Sequence, residues 1–322
     1  MKSILFHCAG GLIGDSLIKL PAILALKARC PDIKLTLSIR RGRTAFSAGL
    51  APLVDGVIDE ILESSEFGTR WTQTLKAPRD RFFDTIIASV TKCKDTLALK
   101  RIAHTTFIAP WSDFRLSDCR PSVSFLDLPV YRQTQSLFEL AIGEAIDLAD
   151  TLQLPESYLT AAAEILPAGP SYVGFSPGAG KKIKCWPLAN FIQTARTQIS
   201  SGRVPVFFLG PEEEHWLPEL REAVPEGLFP EYMYTDRSLK GPLFTIALAR
   251  QIPVSVANDA GGGHLLAAGG RTLISLFGDT DPRKFEPPFG HRRVLSASEF
   301  NGKTVGQIPV SAVEKALDEI FP

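Results

Sequence analysis

The stretch from Val254 to His291 constrains the fold of this chain more than any other. It reads VSVANDAGGGHLLAAGGRTLISLFGDTDPRKFEPPFGH. An apolar run is followed by three glycines, a short helical pattern and a second apolar run from Leu273 to Phe277. Strand, glycine loop, helix and strand in this order predict a βαβ unit of a parallel sheet. Both of its loops should lie at the sheet edge where ligands of open α/β folds bind.

The three consecutive glycines predict an anion site, because backbone N–H groups at a helix start can approach an anion closely. The helix dipole adds roughly half a positive charge there. The alternative is that the glycines only form a tight turn. Polar residues beside them favour a ligand, a diphosphate in our interpretation. His264 would reach a phosphate, and Asp259 would either contact ribose hydroxyls or fix the loop. The residues concerned are Asn258, Asp259, Ala260, Gly261, Gly262 and His264.

Length and charge limit the class of protein. The 322 residues suffice for two α/β domains of about 150 residues each, and each could bury its own core. The 35 basic residues balance the 35 acidic ones, and no polybasic tract appears. We therefore expect no nucleic acid partner.

The cysteines and the apolar segments bear on the compartment. The five cysteines are scattered without CxxC spacing, which indicates reduced thiols. No apolar stretch approaches the roughly 18 residues of a membrane span, and no signal peptide pattern precedes the first apolar run. We expect a cytoplasmic protein without an obligatory protein partner. Peripheral contact with the inner membrane is compatible with this expectation.

The chain begins with a second βαβ pattern, in which a glycine loop leads to Asp15 and a helical pattern follows from Ser16 to Cys30. The glycines lack GxGxxG spacing, which argues against a nicotinamide dinucleotide site. Arg40, Arg41 and Arg43 follow the next predicted strand. They are either a solvated loop or a site that holds an anionic acceptor.

The second half opens with a predicted strand from Tyr172 to Phe175. Ser176, Gly178, Ala179 and Lys184 then form a glycine loop with basic residues, which suits a phosphate although it is not a Walker A motif. We expect no obligatory metal, with helix N-termini and Lys184 in its electrostatic role.

Three further patterns concern the organisation of the chain. Pro155 to Pro170 is interpreted as the end of the first domain and the linker, which places the boundary near 165. The domains would therefore span 1–165 and 166–322. The polar stretch from Ser65 to Arg81 predicts a loop or an insertion over the ligand cleft. Ser311 to Phe321 predicts an amphipathic terminal helix.

Several of these motifs together resemble a known family. Asn258-Asp259-Ala260-Gly261 before His264-Leu265, and the later LFGDTDP, are similar to the NDSGxxHLAAA and LFGxTDP signatures of the heptosyltransferases of glycosyltransferase family 9. The GDSLIKLP segment at Gly14 and the SPGAGKKIKCWP segment at Ser176 also resemble family elements. The resemblance implies an α/β GT-B fold, with two Rossmann-like domains whose parallel sheets face across a cleft. The terminal helix can cross back to the first domain in such proteins.

The resemblance also implies roles for individual residues. It assigns the general base to Asp15 and a donor phosphate contact to Lys184. It places a glutamate at the donor ribose, and we choose Glu213, with Glu214 as the alternative. It also sets Arg237 next to the nucleotide base of the donor. The position of Asp15 also allows it to cap the first helix, and the carboxylates of Glu212 to Glu214 also allow this segment simply to start a helix.

The implied activity is an inverting transfer of a heptose from ADP-heptose to an acceptor hydroxyl, of the lipopolysaccharide inner core. The ADP-sugar would be the donor substrate and a glycan or glycolipid the acceptor, with no further cofactor. Two alternatives stay open. One is transfer of a different activated sugar to a soluble metabolite or protein, and the other is a nucleotide-sugar binder without catalysis. Asp15 argues against a binder, which needs no carboxylate opposite the phosphates.

Overall fold

The chain forms two compact units, Met1–Ala149 and Asp150–Pro322. The computed structural model describes residues 2–64, 81–233 and 239–321. The described strands of each unit form one five-stranded parallel sheet. The predicted α/β class with two parallel sheets is thus confirmed. Arg237 and positions 65–80 of the predicted loop lie outside the described residues.

The glycine loop of the first unit follows the central strand of its sheet. Its elements are β1 (Ser3–Cys8), α1 (Ile13–Arg29), β2 (Lys34–Ile39), β3 (Glu60–Leu62), β4 (Phe82–Ser89), α2 (Cys93–Leu99), β5 (Ala103–Ile108) and α3 (Val130–Ile142). The sheet order is β3-β2-β1-β4-β5. The order reverses between β1 and β4, so the loop after β1 lies at the switch point, where open α/β sheets bind ligands.

The second unit is built on the same principle. Its elements are α4 (Glu156–Ile165), β6 (Tyr172–Ser176), α5 (Leu188–Ser200), β7 (Val204–Phe207), α6 (Leu217–Ala223), α7 (Pro230–Met233), α8 (Pro242–Arg250), β8 (Val254–Asn258), α9 (Gly261–Ala268), β9 (Thr272–Phe277), α10 (Pro282–Phe285), β10 (His291–Ser296) and α11 (Val310–Asp318). The sheet order is β10-β9-β8-β6-β7. The switch point here lies between β6 and β8, and β8, α9 and β9 form the predicted βαβ unit.

The central strands β6 and β8 of the second unit are buried over their whole length, as expected for a parallel sheet that is covered on both faces. Aromatic rings fill the space beneath the loop after β6. Trp186 is 1% exposed, packs edge-on against Phe191, and donates its indole N–H to the carbonyl of Ile308 at 2.8 Å. The start of α5 is therefore anchored to the segment before α11.

The boundary between the units lies at Ala149–Asp150, earlier than the predicted position near 165. The segment that we interpreted as a linker contains α4, which packs against α8 of the second unit. Arg250 of α8 also donates to the carbonyl of Leu152. The chain therefore enters the second unit before α4 begins.

The terminal helix α11 packs on its own unit rather than crossing back. Val313, Ala316 and Leu317 are buried in the core of the second unit, and the helix contacts α5 and β10. No described helix has the length and apolar character that a membrane span requires.

Candidate functional site

The loops after β6 and β8 meet at the switch point of the second unit. Lys184 Nζ lies 2.7 Å from Asp259 Oδ2 and 3.5 Å from the Asp259 carbonyl oxygen. The Asp259 side chain is only 9% exposed, whereas Lys184 is 34% exposed. The fold thus brings together two predicted site residues that lie 75 positions apart in the sequence. Asp259 thus forms a side-chain ion pair with the loop after β6.

Asn258 holds the two ends of the same loop. Its side chain is buried, its Nδ2 donates to the Pro177 carbonyl at 2.7 Å, and its Oδ1 accepts from the Trp186 amide at 2.9 Å. A buried side-chain amide whose oxygen and nitrogen are both hydrogen-bonded holds the two segments that it contacts in place. Asn258 therefore shapes the loop that carries Lys184, although its position at a strand end had favoured a ligand contact.

The start of α9 lies tightly against the ends of β6 and β8. A Cβ at Gly262 would lie 2.2 Å from Ser176 Oγ, and one at Gly263 would lie 2.7 Å from the Asn258 carbonyl oxygen. Ala260 is the N-cap residue, and no side chain caps this helix. Because the first N–H groups of a helix lack intrahelical acceptors, this start offers donors to an anion.

His264 lies in the first turn of α9 and is 6% exposed. With Asn258 and Ala260 it lines a cavity of about 10 Å³, which is room for one water molecule at most. Its predicted contact with a phosphate stays a prediction.

Glu213 occupies the space that two glycines leave open. A Cβ at Gly178 would lie 2.4 Å from Glu213 Cδ, and one at Gly210 would lie 2.6 Å from Glu213 Oε2. Burial, with a smaller contribution from Glu212, raises the pKa of the Glu213 carboxyl. Glu214 is exposed and begins a short 3₁₀ turn instead. Of the two glutamates considered for the donor ribose, Glu213 is thus the one that lies against the glycine loop.

Ala179 belongs to the same loop. Its carbonyl oxygen lies 3.8 Å from the Cys185 Sγ. Burial raises the pKa of the Cys185 thiol, which keeps it protonated and able to donate this weak hydrogen bond. Gly178, Ala179 and Lys184 therefore belong to one loop at the switch point, and Ser176 ends the strand that precedes it.

A cavity of about 250 Å³ opens beside the Lys184–Asp259 pair. Its polar lining consists of Lys184, Asp259, Asp279, Thr280, Lys303 and Thr304. Lys303 and Thr304 were not predicted as site residues. The signal was present, because Thr304 and Gln307 form a capping box, a T-x-x-Q pattern that fixes a backbone turn. Among the residues that the structure describes, no group of three or more His, Cys, Asp and Glu is arranged to hold a metal ion.

Asp15 lies in the first turn of α1, at the switch point of the first unit. The N-cap residue is Leu12, and no side chain caps the helix, so the alternative that Asp15 is the cap is wrong. Asp15 is exposed, and a Cβ at Gly10 would lie 2.5 Å from Asp15 Oδ2. Within residues 2–64, 81–233 and 239–321 its carboxylate has no hydrogen-bond or ion-pair partner.

The three arginines after β2 have different environments. Arg40 Nη1 lies 2.7 Å from Asp95 Oδ2, and the side chains are 12% and 0% exposed. Arg41 is exposed, and Arg43 is 80% exposed with its Nε 3.4 Å from Glu63 Oε2. The ion pair with Asp95 thus occupies the Arg40 guanidinium, whereas the other two face solvent.

A buried histidine lies beside this ion pair. His7 Nδ1 is 2.9 Å from Ser38 Oγ. Burial lowers the pKa of His7 to about 4, and the nearby Arg40 adds to this, while Asp95 acts in the opposite direction. The imidazole is therefore neutral near pH 7.

Comparison with known proteins places the chain in a family. The sequence profile of glycosyltransferase family 9 (heptosyltransferase) matches residues 83–308. Lipooligosaccharide heptosyltransferase 2 of Haemophilus influenzae is 30% identical over 124 residues, which are 38% of this chain and 35% of that protein. The match thus spans about a third of this curated relative's length.

Two solved structures share the fold over nearly the whole chain. A family 9 glycosyltransferase from Veillonella parvula superposes with a TM-score of 0.71 at 16% identity, covering 99% of this chain and 97% of that one. The E. coli heptosyltransferase WaaC with ADP-2-deoxy-2-fluoro heptose gives a TM-score of 0.68 at 18% identity, covering 98% and 99%. The fold is therefore GT-B, and the chain belongs to glycosyltransferase family 9, the heptosyltransferase family.

Proposed function

We propose that this protein is an inverting glycosyltransferase that transfers a heptose from ADP-heptose to a hydroxyl of the lipopolysaccharide inner core. Membership of the heptosyltransferase family supports the reaction class. The donor is inferred from WaaC, which was solved with an ADP-heptose analogue. The acceptor is inferred from the lipooligosaccharide heptosyltransferase that matches part of the chain.

One observation carries the proposal most directly: a lysine and a glycine-rich helix start meet at the switch point of the second unit. The N–H groups of Gly261 to Gly263 would donate to the diphosphate of the donor. Lys184, which is 2.7 Å from Asp259, would exchange part of this ion pair for the phosphate. Such charge-assisted contacts contribute about 1.5 to 3 kcal/mol each. Glu213, against Gly178, would accept hydrogen bonds from the ribose hydroxyls.

The chemical step requires one base. The acceptor oxygen would attack the anomeric carbon of the heptose while the bond from that carbon to the phosphate oxygen breaks, and ADP leaves from the opposite face. We assign the acceptor proton to the Asp15 carboxylate. The positive end of α9 and Lys184 would stabilise the charge that develops on ADP, so the transfer would need no metal ion.

The acceptor would be anionic and would be held by Arg41 and Arg43. Both are exposed at the start of the loop after β2, and Arg40 would support that loop through Asp95. A glycolipid acceptor implies that the enzyme works at the cytoplasmic face of the inner membrane, through peripheral contact.

The proposal is tested by incubating the protein with ADP-heptose and a lipopolysaccharide that lacks inner-core heptose. We expect release of ADP and a mass increase of the acceptor by one heptosyl unit, at a rate that EDTA leaves unchanged. Asp15→Asn, which lacks the proposed general base, is the matched control. Turnover only with another sugar donor or a soluble acceptor would replace this function with the alternative transferase. Tight ADP-heptose binding without turnover on any acceptor would indicate a binding protein.

A further inference from the structure

We propose that Glu63 is a positioning residue for the transfer reaction. Its carboxylate holds the segment from Gly42 to Thr44 against the glycine loop that leads to Asp15, and so fixes the position of the Asp15 carboxylate. The inference rests on the proposed function, because it takes Asp15 as the general base. It goes beyond that function, since no sequence motif indicates Glu63, which directly follows β3.

The Glu63 carboxylate contacts the segment after β2 at three points. Its Oε1 accepts from the Thr44 amide at 2.8 Å and from the Ser47 hydroxyl, and its Oε2 lies 3.4 Å from Arg43 Nε. The hydrogen bonds from Ser47 and from the Thr44 amide lower the pKa of the Glu63 carboxyl, so these contacts stabilise its ionised form. One carboxylate therefore contacts both the backbone of this segment and an arginine that we assign to the acceptor.

The residue after Glu63 holds the same segment. Ser64 donates its amide at 3.2 Å and its hydroxyl at 3.3 Å to the Gly42 carbonyl. Gly42 has a φ of +74°, a conformation that glycine adopts without strain. The two residues that follow β3 thus fix both ends of the segment from Gly42 to Thr44.

Thr44 in turn lies against the glycine loop. It is 2% exposed, and a Cβ at Gly11 would lie 2.8 Å from Thr44 Cβ and 2.9 Å from Thr44 Cα. The Gly11 carbonyl accepts from the Ala45 amide at 2.7 Å and from Ser16 Oγ at 3.1 Å. Because the two backbones are in such close contact, a displacement of Thr44 also displaces the Gly11 peptide.

The glycine loop supports the Asp15 carboxylate. A Cβ at Gly10 would lie 2.5 Å from Asp15 Oδ2, so the carboxylate packs over the Gly10 backbone. Displacement of a catalytic group by about 1 Å can reduce the rate on the order of 10²-fold. Glu63 therefore acts on the reaction through Thr44 and Gly11.

Three variants separate the contacts of Glu63 from its charge. Glu63→Ala removes both, whereas Glu63→Gln keeps an oxygen that accepts from the Thr44 amide and loses the charge. Glu60→Ala is the matched control, because Glu60 lies on β3 three positions earlier. Its carboxylate accepts from Thr36 and Arg81 instead.

Heptosyl transfer is measured for each variant, once with Asp15 present and once combined with Asp15→Asn. We expect Glu63→Ala to lower kcat about tenfold and to leave the KM for ADP-heptose unchanged. Glu63→Gln should stay within about twofold of the wild-type kcat, and Glu60→Ala should match wild type. Combined with Asp15→Asn, Glu63→Ala should change the residual rate by less than about twofold, because the base that it positions is absent.

Hydrogen–deuterium exchange measures the same support without a substrate. The Ala45 amide, which donates to Gly11, and the loop from Ala9 to Asp15 should exchange about tenfold faster in Glu63→Ala than in wild type. Glu63→Gln and Glu60→Ala should exchange as wild type does. Equal exchange in wild type and Glu63→Ala would overturn the inference, whatever the kinetics show.

The kinetic outcomes separate this inference from the proposed function. If Glu63→Ala lowers kcat by the same factor with Asp15 and with Asp15→Asn, Glu63 does not act through the base and the inference is wrong. If wild type transfers no heptose, or Asp15→Asn alone keeps its kcat, the proposed function or its base is wrong. The role of Glu63 in the reaction then fails too, although faster exchange in Glu63→Ala would still show that Glu63 holds the glycine loop.

Discussion

The switch points of the two units differ in how their polar groups are paired. In the second unit, Lys184 is paired with Asp259, and Asn258 holds both ends of the loop between Pro177 and Trp186. In the first unit, Asp15 is exposed and without a partner among the described residues, whereas the side chains of the ion pair Arg40–Asp95 are 12% and 0% exposed. The sheet edge of the second unit is thus preorganised, whereas that of the first unit presents an exposed carboxylate.

This difference matches two different tasks. Binding a diphosphate benefits from donors that are fixed in advance, because less conformational freedom is lost when the ligand arrives. A general base must instead be accessible and must not already share its oxygens with a cation. The comparison therefore supports our proposal that the second unit binds the donor and that Asp15 of the first unit takes the proton.

The largest expected effect is on turnover, in the variant Asp15→Asn. A general base contributes about 10²- to 10⁴-fold to the rate, and asparagine cannot accept the proton. We expect kcat for heptosyl transfer to fall within that range, while ADP affinity and Tm stay near wild type. Asp32→Asn removes an exposed carboxylate beyond the end of α1 and should leave kcat unchanged. If Asp15→Asn keeps most of its kcat when chemistry limits turnover, the base is another residue.

The buried ion pair of the first unit should affect stability. Arg40→Met leaves the Asp95 carboxylate buried without its partner, which we expect to lower the free energy of unfolding by about 3 to 5 kcal/mol. The double variant Arg40→Met with Asp95→Leu should lose less, because no buried charge remains. Arg41→Met, at an exposed position, should change stability by less than about 0.5 kcal/mol. Equal unfolding midpoints for the Arg40 and Arg41 variants in urea would show that the pair is not structural.

Asp15 and Arg40 show how much of the candidate site could be predicted from the sequence. The glycine loops, the strand ends and Asp15 are local patterns, and their positions were predicted from periodicity and turn residues. The burial of Arg40 depends on Asp95, which is 55 positions away, so the arginine could not be distinguished from its exposed neighbours. Long-range partners of this kind have no local signal.

The same limit applied in the second unit. Lys184 and Asp259 were each predicted as site residues, but their pairing across 75 positions was not. The helix α4 was interpreted as a linker, since its alanines and flanking prolines give no sign of the contact with α8. Lys303 was overlooked because it lies in an irregular stretch, although the Thr304–Gln307 capping box was readable there.

A moderate effect is expected on donor affinity, in Lys184→Met. Loss of a charge-assisted contact to phosphate should weaken ADP binding about tenfold or more. Lys182→Met lies on the same 3₁₀ turn and is exposed, so it is the matched control and should bind ADP as wild type does. Calorimetry with ADP measures both. An unchanged affinity in Lys184→Met would remove the lysine from the donor site.

The smallest effect is expected on the KM for the acceptor. Arg41→Ala with Arg43→Ala should raise the KM for an anionic acceptor by about fivefold or less at low salt, since exposed charge contacts are weak and screened. The KM of the variant should also depend less on salt, and its KM for ADP-heptose should not change. Steady-state kinetics at two ionic strengths measures this. An unaltered acceptor KM at low salt would exclude the pair from the acceptor site.

Hydrogen–deuterium exchange with and without saturating ADP tests the central division of roles most directly. Amide groups that donate to a bound diphosphate exchange more slowly, so the account predicts protection in 177–186 and in 259–264 of the second unit. The loop from Ala9 to Asp15 in the first unit should exchange at the same rate with and without ADP. Protection of that first-unit loop, with no change at the start of α9, would contradict the account.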